Sequence, residues 1–376
     1  MPRSRPSTSA VPALVESMDK HDILLSREGA LGHITLNRPK ALNALTHEMC
    51  ASILAQLHEW AREPALNAVL IDAVPGRAFC AGGDLRAIYE TGRKNDGTAQ
   101  AFFTTEYRMN AAVKHFPKPY VALIDGIAMG GGVGVSVHGS HRVASENALF
   151  AMPEAGIGLY PDVGGSYFLP RLPGELGMYL ALTGARIGPA DMVYADIATH
   201  FIPSAKFAAI APRLAQGEAV DSVLESLKEG PGPAPLADHR AQIDRVFSAP
   251  SMEAVLQRLG KEGAWGKETA TLLAANSPTS LKLTFRQMRE GRSLDFDSCM
   301  RMEYRLTNRA LEGHDFYEGV RVTLFDKGKR PNWLPPTLDA VSDAAIARYF
   351  VTLGAKELML DCQFGTQIGP ELSQPR

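Results

Sequence analysis

A chain of 376 residues and 40.6 kDa exceeds one small module and, at ~100–200 residues per domain, fits two domains or one large one. With 45% hydrophobic and 21% charged residues it has the material for a buried core, which excludes a disordered protein. Thirty-nine Lys and Arg against 41 Asp and Glu leave a formal net charge of −2, so no global basic field draws nucleic acid or an anionic membrane, and neither is expected as a partner.

In chain order, Met1 to Val15 carries Arg3, Arg5, three Ser and a Thr, has no acid before Glu16 and lacks an apolar h-region. It reads as the disordered tail of a cytoplasmic protein; a mitochondrial transit peptide, with the matrix as destination, has similar composition. From His21 to Asn37 two β-rich runs flank a polar segment with Gly29, the pattern of a hairpin, and Pro39 ends the second strand. Between Asn43 and Arg62, Leu45, Met49, Ile53, Leu54, Leu57 and Trp60 recur mostly every three or four residues, which predicts an amphipathic helix packed on a sheet. The run Ala68 to Asp72 then completes a βαβ unit. Helices are expected around Leu85 to Gly92 and Phe102 to His115. The apolar strand Pro119 to Ile124 runs into a glycine cluster, and His141 to Ala144 reads as the next strand.

Beyond Gly164 strands become scarce, and helices are expected over Leu172 to Ile187 and Pro189 to Ala198, the second opening with a proline where a first turn tolerates one. Gly230 to Pro235, with three prolines in six residues, is the clearest linker. From Asp238 to Gly328 the pattern is helical, with Asn276 to Thr279 capping a helix over Leu281 to Arg289. The expected organisation is a tail over 1–20, an α/β core over 21–235, a helical region over 236–345 and a second tail over 346–376.

Two glycine clusters carry the chemistry. Gly130-Gly-Gly-Val-Gly134 lacks the third glycine of G-x-G-x-x-G, because the sixth residue is Val135 or Val137 according to the start, although Glu154 sits where a ribose-binding acid would. A nicotinamide enzyme therefore rests on a partial match, and no Gly-Lys-Ser/Thr follows to make a Walker A loop. Glycines at a helix start also bare backbone N–H groups to a substrate, which is how an oxyanion hole is made. A second turn, Phe79-Cys-Ala-Gly-Gly-Asp84, also opens a helix, so two sets of donors can converge. Tight turns needing positive φ are the plain alternative for each.

Ala81-Gly-Gly-Asp84, Asp125-Gly-Ile-Ala-Met-Gly-Gly-Gly132 and Met152-Pro-Glu154 with Gly164-Gly165 resemble the signature segments of the crotonase (enoyl-CoA hydratase/isomerase) superfamily over about residues 22–205. Gly131 to Gly139, Phe150 to Glu154, Gly158 to Gly165 and Leu182 to Arg186 resemble its 3-hydroxyisobutyryl-CoA hydrolase branch, and Asp315 to Val320 with Arg330 to Trp333 extends the likeness. The resemblance implies a crotonase-like ββα-repeat core (ClpP/crotonase fold) with a C-terminal helical segment, an acyl-CoA substrate in valine catabolism, no separate cofactor, and a homo-oligomer, commonly a trimer. It implies oxyanion donors at Gly83 and Gly131, and substrate contacts at Glu106, Lys40, Ala41, Ala81 and Asp84, with Glu106 meeting a 3-hydroxyl and Lys40 a CoA phosphate. Hydratases carry one glutamate two residues after the glycine triplet and another in the Pro-Glu segment. Here Gly134 holds the first position and cannot move a proton.

The resemblance to the hydrolase branch implies Glu154 and Asp162 as the catalytic pair. Glu154 is nucleophile or general base, and Asp162 orients water or shuttles a proton; taken singly, each also reads as an ordinary surface or turn acid. An enoyl-CoA hydratase or isomerase using Glu154 alone, and a non-catalytic CoA-binding or assembly protein, are the competing readings. Other constellations fail. Cys50, Cys80, Cys299 and Cys362 form no CxxC pair; no G-x-S-x-G elbow surrounds Ser136 or Ser166; His138, His141 and His200 have no metal spacing and read as structural. No metal is expected. Cys80 lacks an identifiable base and is a poor nucleophile.

Overall fold

The structure, a computed structural model, describes residues 21–360 and residue 364. The expectations for residues 1–20 and for the end of the C-terminal tail lie outside the described residues. β1 (Ile23–Glu28) and β2 (Leu31–Leu36) form the expected antiparallel hairpin, turning at Gly29 with φ 58°. The helix predicted from Asn43 starts later, as α1 (His47–Ala61), capped by Thr46, whose hydroxyl accepts from Met49 N–H. The four residues ahead of it are withdrawn for a reason: Asn43 stands at φ 54° and Leu45 is bridged to Gly83. β3 (Ala68–Ala73) then pairs parallel to β2 and completes the βαβ unit.

From β3 onward consecutive strands part company. β3, β5 (Tyr120–Ile124), β7 (His141–Ala144) and the short β9 (His200–Phe201) extend the hairpin into a six-stranded sheet of order β1-β2-β3-β5-β7-β9. Between them β4 (Ala78–Cys80), β6 (Ile127–Met129) and β8 (Leu149–Ala151) pair in parallel as a second, three-stranded sheet. This second sheet was not expected from sequence. Both glycine turns follow its strands rather than β3 and β5 directly.

Residue parity explains why the large sheet is apolar on both faces. Val69, Ile71, Tyr120, Ala122 and Ile124 join the main core, whereas Ala68, Leu70, Val121 and Leu123 face a second cluster. That cluster is closed by α8 and α9, which follow α2 (Leu85–Lys94), α3 (Thr98–Lys114), α4 (Gly131–Gly134), α5 (Gly165–Phe168), α6 (Leu176–Thr183) and α7 (Pro189–Tyr194); α8 is Ile210–Ala215 and α9 Val220–Leu227. The helices read at Leu172 and Pro189 are thus present but shorter. The expected linker has no regular structure between α9 and α10 (Pro235–Phe247).

The C-terminal helices are α11 (Met252–Leu259), α12 (Gly263–Ala275), α13 (Pro278–Gly291, capped by Ser277), α14 (Phe296–Glu312), α15 (Asp315–Val320) and α16 (Asp343–Phe350). They do not form a separate core. One apolar cluster runs from Ile34 on β2 through Leu306 on α14 to Leu358, and Tyr304 OH lies 2.9 Å from Thr104 Oγ1 on α3. The tail expected after residue 345 is corrected in the same way: α16 crosses that boundary, and Ile346 and Leu358 are buried.

A shared core has a measurable consequence. Leu306→Ala should cost about 2–5 kcal/mol, and single-tryptophan variants keeping Trp60 on α1 or Trp265 on α12 should report the same lowered melting temperature; a drop seen only by Trp265 would contradict it.

Candidate active site

The site begins with two backbone turns in contact. A Cβ on Gly131 would stand 3.3 Å from Gly83 N, and one on Gly82 would stand 3.7 Å from Gly131 N. The turns are neighbours because β4 and β6, which lead into them, are neighbours in the small sheet. The bridge between Leu45 and Gly83 is made by Leu45 N–H to Gly82 O (2.8 Å) and Asp84 N–H to Leu45 O (2.9 Å), and so leaves the Gly83 amide unused. Gly131 opens α4, where an N–H has no intrahelical acceptor. Two spare donors thus sit on adjoining backbone, the arrangement that stabilises an oxyanion.

Around them lies a cavity of about 160 Å³. Its wall is largely apolar, from Leu85 and Ile88 on α2, Phe102 and Phe103 on α3, and Ile157 and Leu159 beyond Pro153. Three acids enter it: Glu106 from α3, Glu154 from a 3₁₀ turn (Glu154–Ile157), and Asp162. All are buried, at 2%, 5% and 4% exposure. Glu106 Oε1 and Glu154 Oε2 have no hydrogen-bond partner, and Glu106 Oε1 would be only 2.5 Å from a Cβ on Gly131. Glycine at 131 is therefore required by close approach, not by backbone angle.

Burial, and then the charge of Asp162, hold the Glu154 carboxyl well above the usual range. Glu106 is raised likewise by burial and by both other acids. Asp162 is pushed up to about 6 by burial, against the opposing hydrogen bond from Tyr107 OH at 2.9 Å. Tyr107 OH also meets Thr307 Oγ1 at 2.6 Å, and Thr307 meets Tyr160 OH at 2.5 Å, so α14 braces Asp162 through hydroxyls. Among the described residues no Lys or Arg lines the cavity.

Gly83, Gly131, Ala81, Glu106, Glu154 and Asp162 are thus brought together. Three expected contacts are not. The Asp84 carboxylate is spent elsewhere, accepting from Ala87 N–H at 3.2 Å as the cap of α2 and pairing with Arg38 Nη2 at 2.9 Å. Lys40 is exposed and Ala41 half-buried on a 3₁₀ turn (Pro39–Ala41) outside the cavity lining, and the residue after it, Leu42, accepts from Ala81 N–H at 3.0 Å. The Cys80 thiol is buried and pushed up to about 12, so it supplies no thiolate. His138 is buried with Nε2 2.6 Å from Val163 O, and its pKa falls to about 3; among the described residues no group of ligands could hold a metal ion.

Gly134 acquires a second reason. A Cβ there would stand 2.6 Å from Asn110 Nδ2 and 2.8 Å from Val163 Cβ, so the space is already filled. Asn110 was missed from sequence, although it lies one turn beyond Glu106 on the same helix face. Tyr107, Tyr160, Thr307 and Thr323, a cavity residue from a short π-helical stretch (Arg321–Phe325), gave no sequence signal.

Comparison with known proteins follows the same lines. The enoyl-CoA hydratase/isomerase family profile matches residues 31–350. A protein named 3-hydroxyisobutyryl-CoA hydrolase, mitochondrial, from Xenopus tropicalis is 49% identical over 350 residues, covering 90% of this chain and 91% of that one. The Homo sapiens protein of that name is 45% identical over 357 residues, covering 91% and 92%. Among solved structures, a carnitinyl-CoA dehydratase from Mycobacterium thermoresistibile is 38% identical with TM-score 0.86, covering 90% of this chain and 99% of that one. An enoyl-CoA hydratase from Rhodobacter sphaeroides is 37% identical with TM-score 0.84, covering 90% and 100%.

The raised Asp162 pKa fixes the sign of a stability change. Between pH 3.8 and about 6 the folded chain holds more protons at this site than the unfolded chain, so this carboxyl subtracts stability as pH rises through that window. Asp162→Asn should therefore gain stability over wild type progressively from about pH 4 to about pH 7; parallel denaturation midpoints across that range would contradict a disfavoured charge.

Proposed function

The chain belongs to the enoyl-CoA hydratase/isomerase family, and from that premise we propose that it is a thioester hydrolase converting 3-hydroxyisobutyryl-CoA and water to 3-hydroxyisobutyrate and CoA. The names of the curated relatives support the substrate. The names of the solved structures point to hydration or dehydration instead. The observation that decides between them is Gly134: the first hydratase glutamate is absent, and Asn110 and Val163 leave no room for it.

In the reaction the thioester oxygen accepts from the Gly83 and Gly131 amides, which carry the negative charge of the tetrahedral state; one such donor is worth about 3–4 kcal/mol. Glu154 either attacks the acyl carbon to give an anhydride, later opened by water, or takes a proton from a water that attacks directly. Asp162 orients that water and passes the proton on, and the departing CoA sulfur finishes as a thiol. Glu106 accepts from the 3-hydroxyl with its free Oε1. Carboxyls held above their usual range are fitted to proton transfer near neutral pH. The product fits valine catabolism. The relatives' mitochondrial names favour the matrix over the cytoplasm, and with it the transit-peptide reading of the Arg3 and Arg5 stretch.

Thiol release from 3-hydroxyisobutyryl-CoA, set against loss of enoyl absorbance from crotonyl-CoA, separates the readings: rapid enoyl loss without thiol release would refute the hydrolase. Glu154→Gln and Asp162→Asn should each slow thiol release at least about tenfold, ~1.4 kcal/mol of barrier, with folding intact; wild-type turnover in both would reject the assignment of these two acids, and no thiol release from the wild type itself would favour a non-catalytic CoA-binding protein. Gly134→Glu should gain no hydration of crotonyl-CoA and should melt earlier than wild type. A folded, hydrating variant would show that the space is free.

A further inference from the structure

Glu303 on α14 has no exposed surface, and no basic group acts on its carboxyl. It is not a cavity residue. An acid buried without a cation destabilises a fold, so its presence asks for a reason other than stability. Both of its oxygens are occupied. Oε2 accepts from Gly164 N–H at 2.8 Å, and Oε1 accepts from Ser166 N–H at 2.9 Å and from the Ser166 hydroxyl at 2.5 Å. Two amides two residues apart around one turn need two acceptor atoms, which a carboxyl offers and a primary amide does not.

That turn carries Asp162. Gly165 N–H bonds back to Asp162 O at 2.7 Å, and Val163 between them stands at φ 49°, in the left-handed region that penalises a β-branched residue. Such a conformation persists only where its surroundings impose it. His138 Nε2 meets Val163 O at 2.6 Å, and Gln287 Nε2 on α13 donates to Pro161 O at 2.7 Å, so carbonyls are held from two sides. Glu303 holds the Gly164 and Ser166 amides on either side of the Gly165 bond. Its main-chain O also accepts from Tyr160 OH at 2.5 Å, just upstream of Asp162.

We infer that Glu303 is a positioning residue for Asp162: by clamping the Gly164 and Ser166 amides it enforces the left-handed turn at Val163 that aims the Asp162 carboxyl into the cavity. The inference rests on the reading of Asp162 as a reacting group. It is tested by a double-mutant cycle on thiol release. Glu303→Gln, which keeps one acceptor oxygen, should lower kcat about tenfold while KM changes less than about threefold, since the cavity wall is untouched. On top of Asp162→Asn it should cost nothing further, because the group it positions is gone. A loss that multiplies in the double variant, or wild-type kcat in Glu303→Gln, overturns the clamp.

Should Glu303→Gln fail to fold, Ser166→Ala carries the same cycle, with an expected loss of about threefold that vanishes beside Asp162→Asn. A crystal structure of the folded variant separates this inference from the hydrolase reading. If Glu303 is the clamp, Val163 relaxes from its positive φ whatever reaction the enzyme performs; an unchanged turn over residues 162–166 refutes it.

Discussion

The site depends on one contact, the meeting of two main-chain turns beneath the Glu106 carboxyl, where an added side chain would push that carboxyl aside. Gly131 is pressed between the Gly83 amide and the Glu106 carboxyl, and the smallest added atom would collide with the latter. Parallel pairing of β4 with β6 sets the two turns side by side, and α3 brings Glu106 against them. The three-stranded sheet, minor in area, is therefore the device that makes a donor pair out of two remote stretches of chain. Any shift of its register would part the amides and leave the acids facing empty space.

The acids form a frustrated group. Glu106, Glu154 and Asp162 share a largely apolar cavity, and each ionisation penalises the others, so the protons they hold belong to the cluster rather than to single residues. Proteins keep such arrangements where reactivity requires them and support them from outside. Here the support comes from the C-terminal helices, through Thr307 and the tyrosine hydroxyls and through the backbone of the 162–166 turn. The helical region is thus part of the mould and not an appendage.

What could be read from sequence divides along physical lines. β2, β3, β5 and β7 stood out as apolar runs bounded by turn residues, because a sheet covered on both faces needs them. The glycine turns were legible as motifs, since close backbone approach favours glycine, whereas Glu106, Glu154 and Asp162 were singled out through the family resemblance, each reading alone as an ordinary surface or turn acid. The three-residue strands β4, β6 and β8 were not, being too short to show any period. At Asp84 nothing in the sequence signalled the helix cap and the Arg38 pair that occupy its carboxylate, because a cap and a ligand contact use the same residue type at the same spot. Thr307 and Tyr304 lie 200 residues from their partners Tyr107 and Thr104, and no local pattern announces such a pairing.

That no described Lys or Arg stands in the cavity wall bears on how the proposed turnover ends. Under the proposed hydrolysis a neutral acyl chain enters and a carboxylate takes its place, beside three acids and with no cation among the described lining residues to retain it. Like charge then drives the new anion outward and disfavours its return. Charge in the chamber thus speeds the departure of an anionic product, while the equilibrium of the reaction stays with the thioester bond itself.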